Sequence, residues 1–94
     1  MSENIMHDER NQRFFVPLGD EEAEMTYRQV RPELISFNHT YVPPSHRGSG
    51  IAGRIVKEAL EWAKGKNAKI VPSCSFVKAF VDKHPEYQEI STKH

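Results

Sequence analysis

The sequence has few of the features that mark several large classes of protein. Its 94 residues include one cysteine, Cys74, which excludes an internal disulfide framework and is typical of a reducing compartment. No apolar run is long enough to cross a bilayer, and the stretch from Met1 to Asp8 is too polar for a signal peptide. We therefore expect a cytoplasmic protein that has no membrane partner.

An excess of charge of one sign is also missing. Lys and Arg together number 13, Asp and Glu together number 13, and the formal net charge is zero. Without a basic excess to neutralise phosphates, the chain is not expected to bind nucleic acid. The histidines show no spacing typical of a metal site, so no metal is expected; they are His7, His39, His46, His84 and His94.

What is present is typical of one small globular domain. Hydrophobic residues make up 37% of the chain and charged residues 28%, and the length leaves room for a single modest core. We expect one monomeric domain over residues 1–94, with a polar lead-in at 1–12 and the core at 13–90.

The first half of the core has the pattern of an antiparallel three-stranded meander. The apolar run Arg13–Leu18 predicts a strand, and apolar and polar residues alternate in the next strand, 23–28. The third strand is predicted over Leu34–Val42. Strict alternation there would place four side chains on one face, namely Ile35, Phe37, His39 and Tyr41.

The second half of the core predicts a strand–loop–helix–strand unit. Apolar residues recur at helical spacing over Ile51–Lys64, Gly65 is typical of a helix end, and Ala68–Pro72 predicts a short strand. A crossover of this length usually joins parallel strands. Ser75 could cap a second, short helix that ends at His84-Pro85, with Phe76, Val77, Phe80 and Val81 directed inward, and 87–90 could add an extended piece.

The segment Arg47-Gly48-Ser49-Gly50-Ile51-Ala52 is the strongest functional signal. A glycine-rich turn that opens a helix presents unpaired N–H groups and the positive end of a helix dipole, an arrangement that binds phosphate. Arg47 can add a two-pronged, permanently charged contact. The segment matches neither a Walker P-loop nor the full dinucleotide fingerprint. A turn that only connects strand to helix is the alternative, and the pattern favours a phosphorylated cofactor.

Four segments together resemble the GNAT superfamily of acetyl-CoA-dependent N-acetyltransferases, and within it a small single-domain YjdJ-like branch. Arg47-x-x-Gly50-x-Ala52, after a strand and before a helix, is similar to the Q/R-x-x-G-x-G/A signature of that superfamily. The flanking segments resemble the branch in order and spacing, so that the likeness covers roughly residues 13–90; they are His39-Thr40-Tyr41-Val42-Pro43, Pro72-Ser73-Cys74-Ser75 and His84-Pro85-Glu86-Tyr87.

The resemblance implies a minimal α/β (α+β) GNAT fold with a splayed parallel strand pair and a short C-terminal helix. It also implies acetyl-CoA (coenzyme A) as cofactor, with its pantetheine arm between the splayed strands and an unidentified amine as acceptor. The helices that usually wall the acceptor site are missing from the sequence. The expected cofactor-binding residues are Thr40, Val42, Arg47, Gly48, Ser49, Gly50, Ile51, Ala52 and Cys74.

Three residues are candidates for catalysis. Cys74 at a helix start could carry the acetyl group on a thiolate, or could be a small buried residue beside the pantetheine arm. His39 could act as a general base, or could order the loop by a hydrogen bond. Tyr87 could protonate the CoA thiolate, as tyrosine often does in the superfamily, or could be a core aromatic.

These interpretations leave two classes of function. We expect an enzyme that transfers acetyl directly from acetyl-CoA to an amine. The alternatives are a ping-pong enzyme that works through acetyl-Cys74, and a non-catalytic module that senses CoA or acyl-CoA.

Overall fold

A computed structural model of the protein describes residues 4–92. Within this range the chain forms five strands, two α-helices and two short 3-10 helices. The elements are β1 (Met6–Asp8), β2 (Arg13–Leu18), β3 (Glu21–Arg31), β4 (Leu34–Tyr41), a 3-10 helix (Pro44–His46), α1 (Ile51–Gly65), β5 (Lys69–Pro72), α2 (Ser75–Lys83) and a second 3-10 helix (Pro85–Ile90).

The strands form one sheet in chain order, β1-β2-β3-β4-β5. The first four are antiparallel to their neighbours, whereas β5 lies parallel to β4 after the crossover through α1. The predicted meander and the predicted parallel unit are therefore both confirmed.

β1 corrects the prediction of a polar lead-in over residues 1–12. It pairs with β2 and is fixed by His7, whose ring stacks on Phe14 at 3.9 Å and whose Nε2 lies 2.5 Å from the Tyr27 hydroxyl. Three residues are too few to show a period, so the alternation that identified the other strands was absent here.

The core lies on one face of the sheet, under both helices. α1 buries the predicted stripe, and α2 adds Val77 and Val81 to the same cluster. Within residues 4–92 no helix packs on the other face, where strand side chains such as Arg13, Glu24 and His39 are half-buried or exposed. None of the described helices is both long and apolar enough to cross a membrane.

The C-terminal elements differ from expectation in three respects. The residue at the N-cap of α2 is Cys74 rather than Ser75, and no side chain caps it. Phe76 is 41% exposed and Phe80 is half-buried, so only two of the four predicted inward residues are fully buried. Residues 87–90 belong to a 3-10 helix that begins at Pro85, because proline suits a first helical turn; the extended contact to β5 comes later, at Ser91.

A β-bulge in β4 decides which side chains face the core. Tyr27 pairs with Phe37, but the preceding Thr26 pairs with His39, so Asn38 is an extra residue on β4. Beyond the bulge Thr40 is the half-buried residue, while His39 and Tyr41 are exposed, the latter by 42%. The prediction that Phe37 and His39 share one face was wrong, since sequence alternation does not reveal an inserted residue.

Candidate functional site

The site is built where β4 and β5 part. Their last parallel pair is Phe37 with Pro72, and the Cys74 N–H then donates to the Phe37 carbonyl at 3.0 Å. From that point β4 continues to Tyr41, whereas the segment that follows β5 turns into α2. The backbone edge of β4 beyond Phe37 is therefore not paired with β5.

A cavity of about 530 Å³ lies at this end of the sheet. Its walls come from the end of β4, the glycine-rich loop, the first turn of α1 and the start of α2. The lining residues are Thr40, Val42, His46, Arg47, Gly48, Gly50, Ile51, Ala52, Gly53 and Phe76.

The loop takes a shape that depends on two glycines. Gly48 and Gly50 have φ angles of 85° and 86°, in the left-handed region that L side chains rarely adopt. A Cβ atom built on Gly48 would meet nothing within 4 Å, so its backbone is open to approach.

The N-terminus of α1 has the character of an anion site. Gly50 is its N-cap, no side chain caps it, and its first turn holds no acidic residue. The first N–H groups of a helix have no partner inside the helix and carry partial positive charge. The cavity therefore has donors for a negatively charged group at this end, with apolar walls from Ile51 and Val42 beside them.

Arg47 lines the same cavity from the loop. Its Nε donates to the Val42 carbonyl at 2.9 Å, which ties the guanidinium to the end of β4. A side chain anchored through Nε keeps both terminal nitrogens as donors, the fork that matches a phosphate.

Cys74 lies behind the cavity wall rather than in its lining. Its Sγ is 3.5 Å from the Thr40 Oγ1, and Thr40 does line the cavity. Burial by itself would raise the pKa of the Cys74 thiol, but hydrogen bonds from Thr40 and from the backbone N–H groups of Val77 and Phe76 bring that pKa below its ordinary value. Two of these donors, the N–H groups of Phe76 and Val77, belong to the first turn of α2.

Tyr87 and His39 are not brought to the cavity. Tyr87 is 1% exposed and its hydroxyl donates to the Glu61 carboxylate at 2.6 Å; burial and Glu61 raise the pKa of Tyr87. Glu61 lies about 15 Å along the α1 axis from Ile51, at roughly 1.5 Å per residue. His39 is exposed on the sheet face away from the loop. The positions therefore support neither Tyr87 as general acid nor His39 as general base.

Tyr87→Phe tests whether this hydroxyl is structural. We expect the free energy of unfolding to fall by about 1 kcal/mol, the usual net value of one hydrogen bond, while affinity for CoA and any acetyl transfer stay unchanged. Urea unfolding and a CoA titration on both proteins measure this. Loss of transfer with unchanged stability and unchanged CoA affinity would instead support Tyr87 as the general acid.

Some lining residues were missed by the sequence interpretation. Phe76 was expected inside the core, and His46 and Gly53 carried no signal that separates them from other loop and helix residues. Ser49 was expected to bind cofactor, yet its hydroxyl donates to the His46 carbonyl at 2.6 Å and it does not line the cavity.

Comparison with known proteins decides the family. The family model for GCN5-related N-acetyltransferases matches residues 13–90. The chain belongs to the GCN5-related N-acetyltransferase family. This agrees with the predicted GNAT fold, and the YjdJ-like branch stays a prediction.

Relatives of the chain support the family assignment along nearly its whole length. The protein NATD1 of Homo sapiens is 30% identical over 83 residues, which cover 86% of this chain and 74% of NATD1. NATD1 of Danio rerio is 28% identical over 89 residues, covering 90% and 81% of the two chains. The NMR structure of a GCN5-like protein from Staphylococcus aureus is 29% identical, with a TM-score of 0.73, and the match covers 100% of this chain and 93% of that one.

Proposed function

We propose that the protein binds acetyl-CoA in the cavity beside the glycine-rich loop and transfers the acetyl group directly to an amine. The observation that carries the proposal is that one cavity joins the uncapped N-terminus of α1 to the parting strands β4 and β5. An anion site and an unpaired strand edge are the two features that an elongated, phosphorylated thioester needs.

The residues present fit that cofactor. Gly48, Gly50 and the first turn of α1 offer N–H groups for the pyrophosphate, and Arg47 adds its guanidinium. Val42 and Thr40, at the end of β4, offer backbone groups to the pantetheine arm, and Phe76 adds an apolar wall. When bound, acetyl-CoA supplies an activated acetyl thioester.

The chain itself has to position an amine and accept its proton. In direct transfer the amine nitrogen bonds to the acetyl carbonyl carbon, the carbon–sulfur bond breaks, and the sulfur leaves as a thiolate that is finally protonated. His39 remains a candidate for taking the amine proton, because imidazole is the side chain that most often serves as a general base.

An acetyl-CoA titration followed by NMR, residue by residue, tests the site. We expect the largest changes at the amide signals of Arg47–Ala52 and of Val42, with small changes along β1.

Conversion of acetyl-CoA to free CoA in the presence of a panel of primary amines then tests whether the protein catalyses acetyl transfer. Binding at the loop without turnover would favour the second candidate function, a module that binds CoA without catalysis. The outer face of the sheet, which has no helix within residues 4–92, is compatible with that function.

Cys74→Ala separates direct transfer from transfer through the thiol. We expect the variant to keep most of the turnover, because Cys74 lies behind Thr40 rather than in the cavity lining. We also expect the parent protein, after incubation with acetyl-CoA, to show no added acetyl mass. A hydroxylamine-sensitive acetyl mass on Cys74, lost together with turnover in Cys74→Ala, would establish the ping-pong route instead.

A further inference from the structure

A second cavity, of about 240 Å³, lies away from the glycine-rich loop. It opens between the turn that joins β1 to β2 and the far part of β3, and its lining residues are Glu9, Arg10, Gln12, Tyr27 and Gln29. Gln29 lies four residues along β3 from Met25, which pairs with Thr40 beside the first cavity. At roughly 3.4 Å per residue, this places the two cavities about 14 Å apart along the strand. The second cavity is therefore separate from the proposed CoA site.

The floor of the second cavity is held in one shape by Gln12. Its φ of 54° lies in the left-handed region, which residues other than glycine rarely adopt. Two hydrogen bonds to β3 hold it there, because Gln12 Oε1 accepts from the Gln29 N–H at 2.6 Å and the Gln12 carbonyl accepts from the Tyr27 N–H at 2.9 Å. Gln12 Nε2 makes no hydrogen bond to another residue among 4–92, so its two N–H donors remain for a ligand.

The rim of the second cavity carries opposite charges on adjacent residues. Glu9 and Arg10 are exposed, and among residues 4–92 neither side chain makes a hydrogen bond or an ion pair with another residue. Burial raises the pKa of Tyr27 to about 12, and the negative charge of Glu9 adds to the rise, so the carboxylate lies near the floor. Lys66 adds a further cation, since its Nζ donates to Gln29 Oε1 at 3.4 Å. The cavity thus offers partners to both signs of charge at once.

We propose that the second cavity binds a free α-amino acid with a polar side chain. The Arg10 guanidinium pairs with the carboxylate of the ligand, the Glu9 carboxylate accepts hydrogen bonds from its ammonium group, and Gln12 Nε2 donates to its side chain. A ligand with one charge would leave the other rim charge without a partner. The volume is below the ~300–1,000 Å³ usual for drug-sized ligands and suits a metabolite of this size.

The fluorescence of Trp62 provides a measure of binding. Trp62 is the single tryptophan of the chain, its ring centroid lies 5.0 Å from that of Tyr27, and Lys66 Nζ lies 4.5 Å from the same centroid. We expect L-glutamine to change this fluorescence saturably. N-acetyl-L-glutamine, which lacks the ammonium group, and L-glutaminamide, which lacks the α-carboxylate, should each bind about tenfold or more weakly. NMR signals of the amides of Arg10, Gln12 and Gln29 should shift with L-glutamine.

Two variants that remove one charge each assign the two ends of the ligand. Glu9→Gln should lose the preference for L-glutamine over its N-acetyl form and keep the preference over L-glutaminamide, whereas Arg10→Gln should do the reverse. Asp20→Asn and Arg28→Gln are the matched controls, because they remove the same charges from exposed residues outside the lining of the second cavity. Neither control should change either preference.

Two results would overturn the proposal. If L-glutamine, L-serine and L-lysine all leave the Trp62 fluorescence and the amide signals of the lining residues unchanged, the second cavity binds no amino acid. If L-glutamine and both of its blocked forms bind equally well, the charges of Glu9 and Arg10 play no part in recognition. Either result leaves the proposed function as it stands, because CoA binding is measured at the glycine-rich loop.

Discussion

Gly50→Val is expected to lower affinity for CoA by at least about 100-fold. Gly50 has a φ of 86° as the N-cap of α1, and a β-branched residue cannot keep that conformation without strain of about 1–2 kcal/mol or more. The loop would therefore change shape just where its N–H groups must converge on an anion. The new Cβ would also stand 3.7 Å from Arg54 Nη1, in ordinary contact, so the larger effect comes from the backbone.

Gly19→Val is the matched control for this strain. Gly19 has a φ of 72° in the turn between β2 and β3, and a Cβ there would meet nothing within 4 Å. Both variants should lose similar stability in a urea titration, but only Gly50→Val should lose CoA affinity in isothermal titration calorimetry. Equal affinity for CoA in Gly50→Val and the parent would place the site elsewhere.

Arg47→Glu is expected to weaken CoA binding by about 10- to 100-fold. The change replaces a donor fork at the cavity wall with a carboxylate, which repels phosphate and cannot donate to the Val42 carbonyl. The parent's affinity should fall as salt is raised, because part of the attraction is between charges, and the variant's affinity should depend on salt much less. The affinity of Arg47→Lys for CoA should lie between those of the parent and Arg47→Glu, since lysine keeps the charge and loses the fork.

Arg10→Glu gives the same reversal of charge in the β1–β2 turn, away from the lining of the cavity beside the glycine-rich loop. If Arg10→Glu weakens CoA binding as strongly as Arg47→Glu does, the effect reports the overall charge of the protein rather than a contact at the loop.

The sequence predicted those parts of the fold that depend on local periodicity. The stripe that includes Ile55, Val56 and Leu60 is buried as expected, because a helix of this length presents a regular apolar face to a sheet. The conformations of Gly48 and Gly50 were also predictable, since glycine is the residue that adopts a positive φ without strain at a turn from strand to helix.

The parts that could not be predicted depend on pairing between distant segments. β1 is held through contacts of His7 with Phe14 and Tyr27, which no local pattern encodes. The bulge at Asn38 exists only in the register between β3 and β4, so the orientation of the His39 side chain could not be predicted from the sequence. The hydroxyl of Tyr87 donates to Glu61 on α1, a contact that nothing in the spacing of the two residues indicates.

The bulge in β4 makes the effect of losing one residue depend on where in this strand the residue lies. Side chains in a strand alternate with a period of two, so a shift of one residue in a regular ladder exchanges the two faces. Deleting Asn38 would remove the extra residue and keep Tyr27 opposite Phe37 and Thr26 opposite His39, so that His39 and Tyr41 stay on the outer face and Thr40 stays on the core side. At this position the strand can therefore lose one codon without exchanging the two sides of the gap.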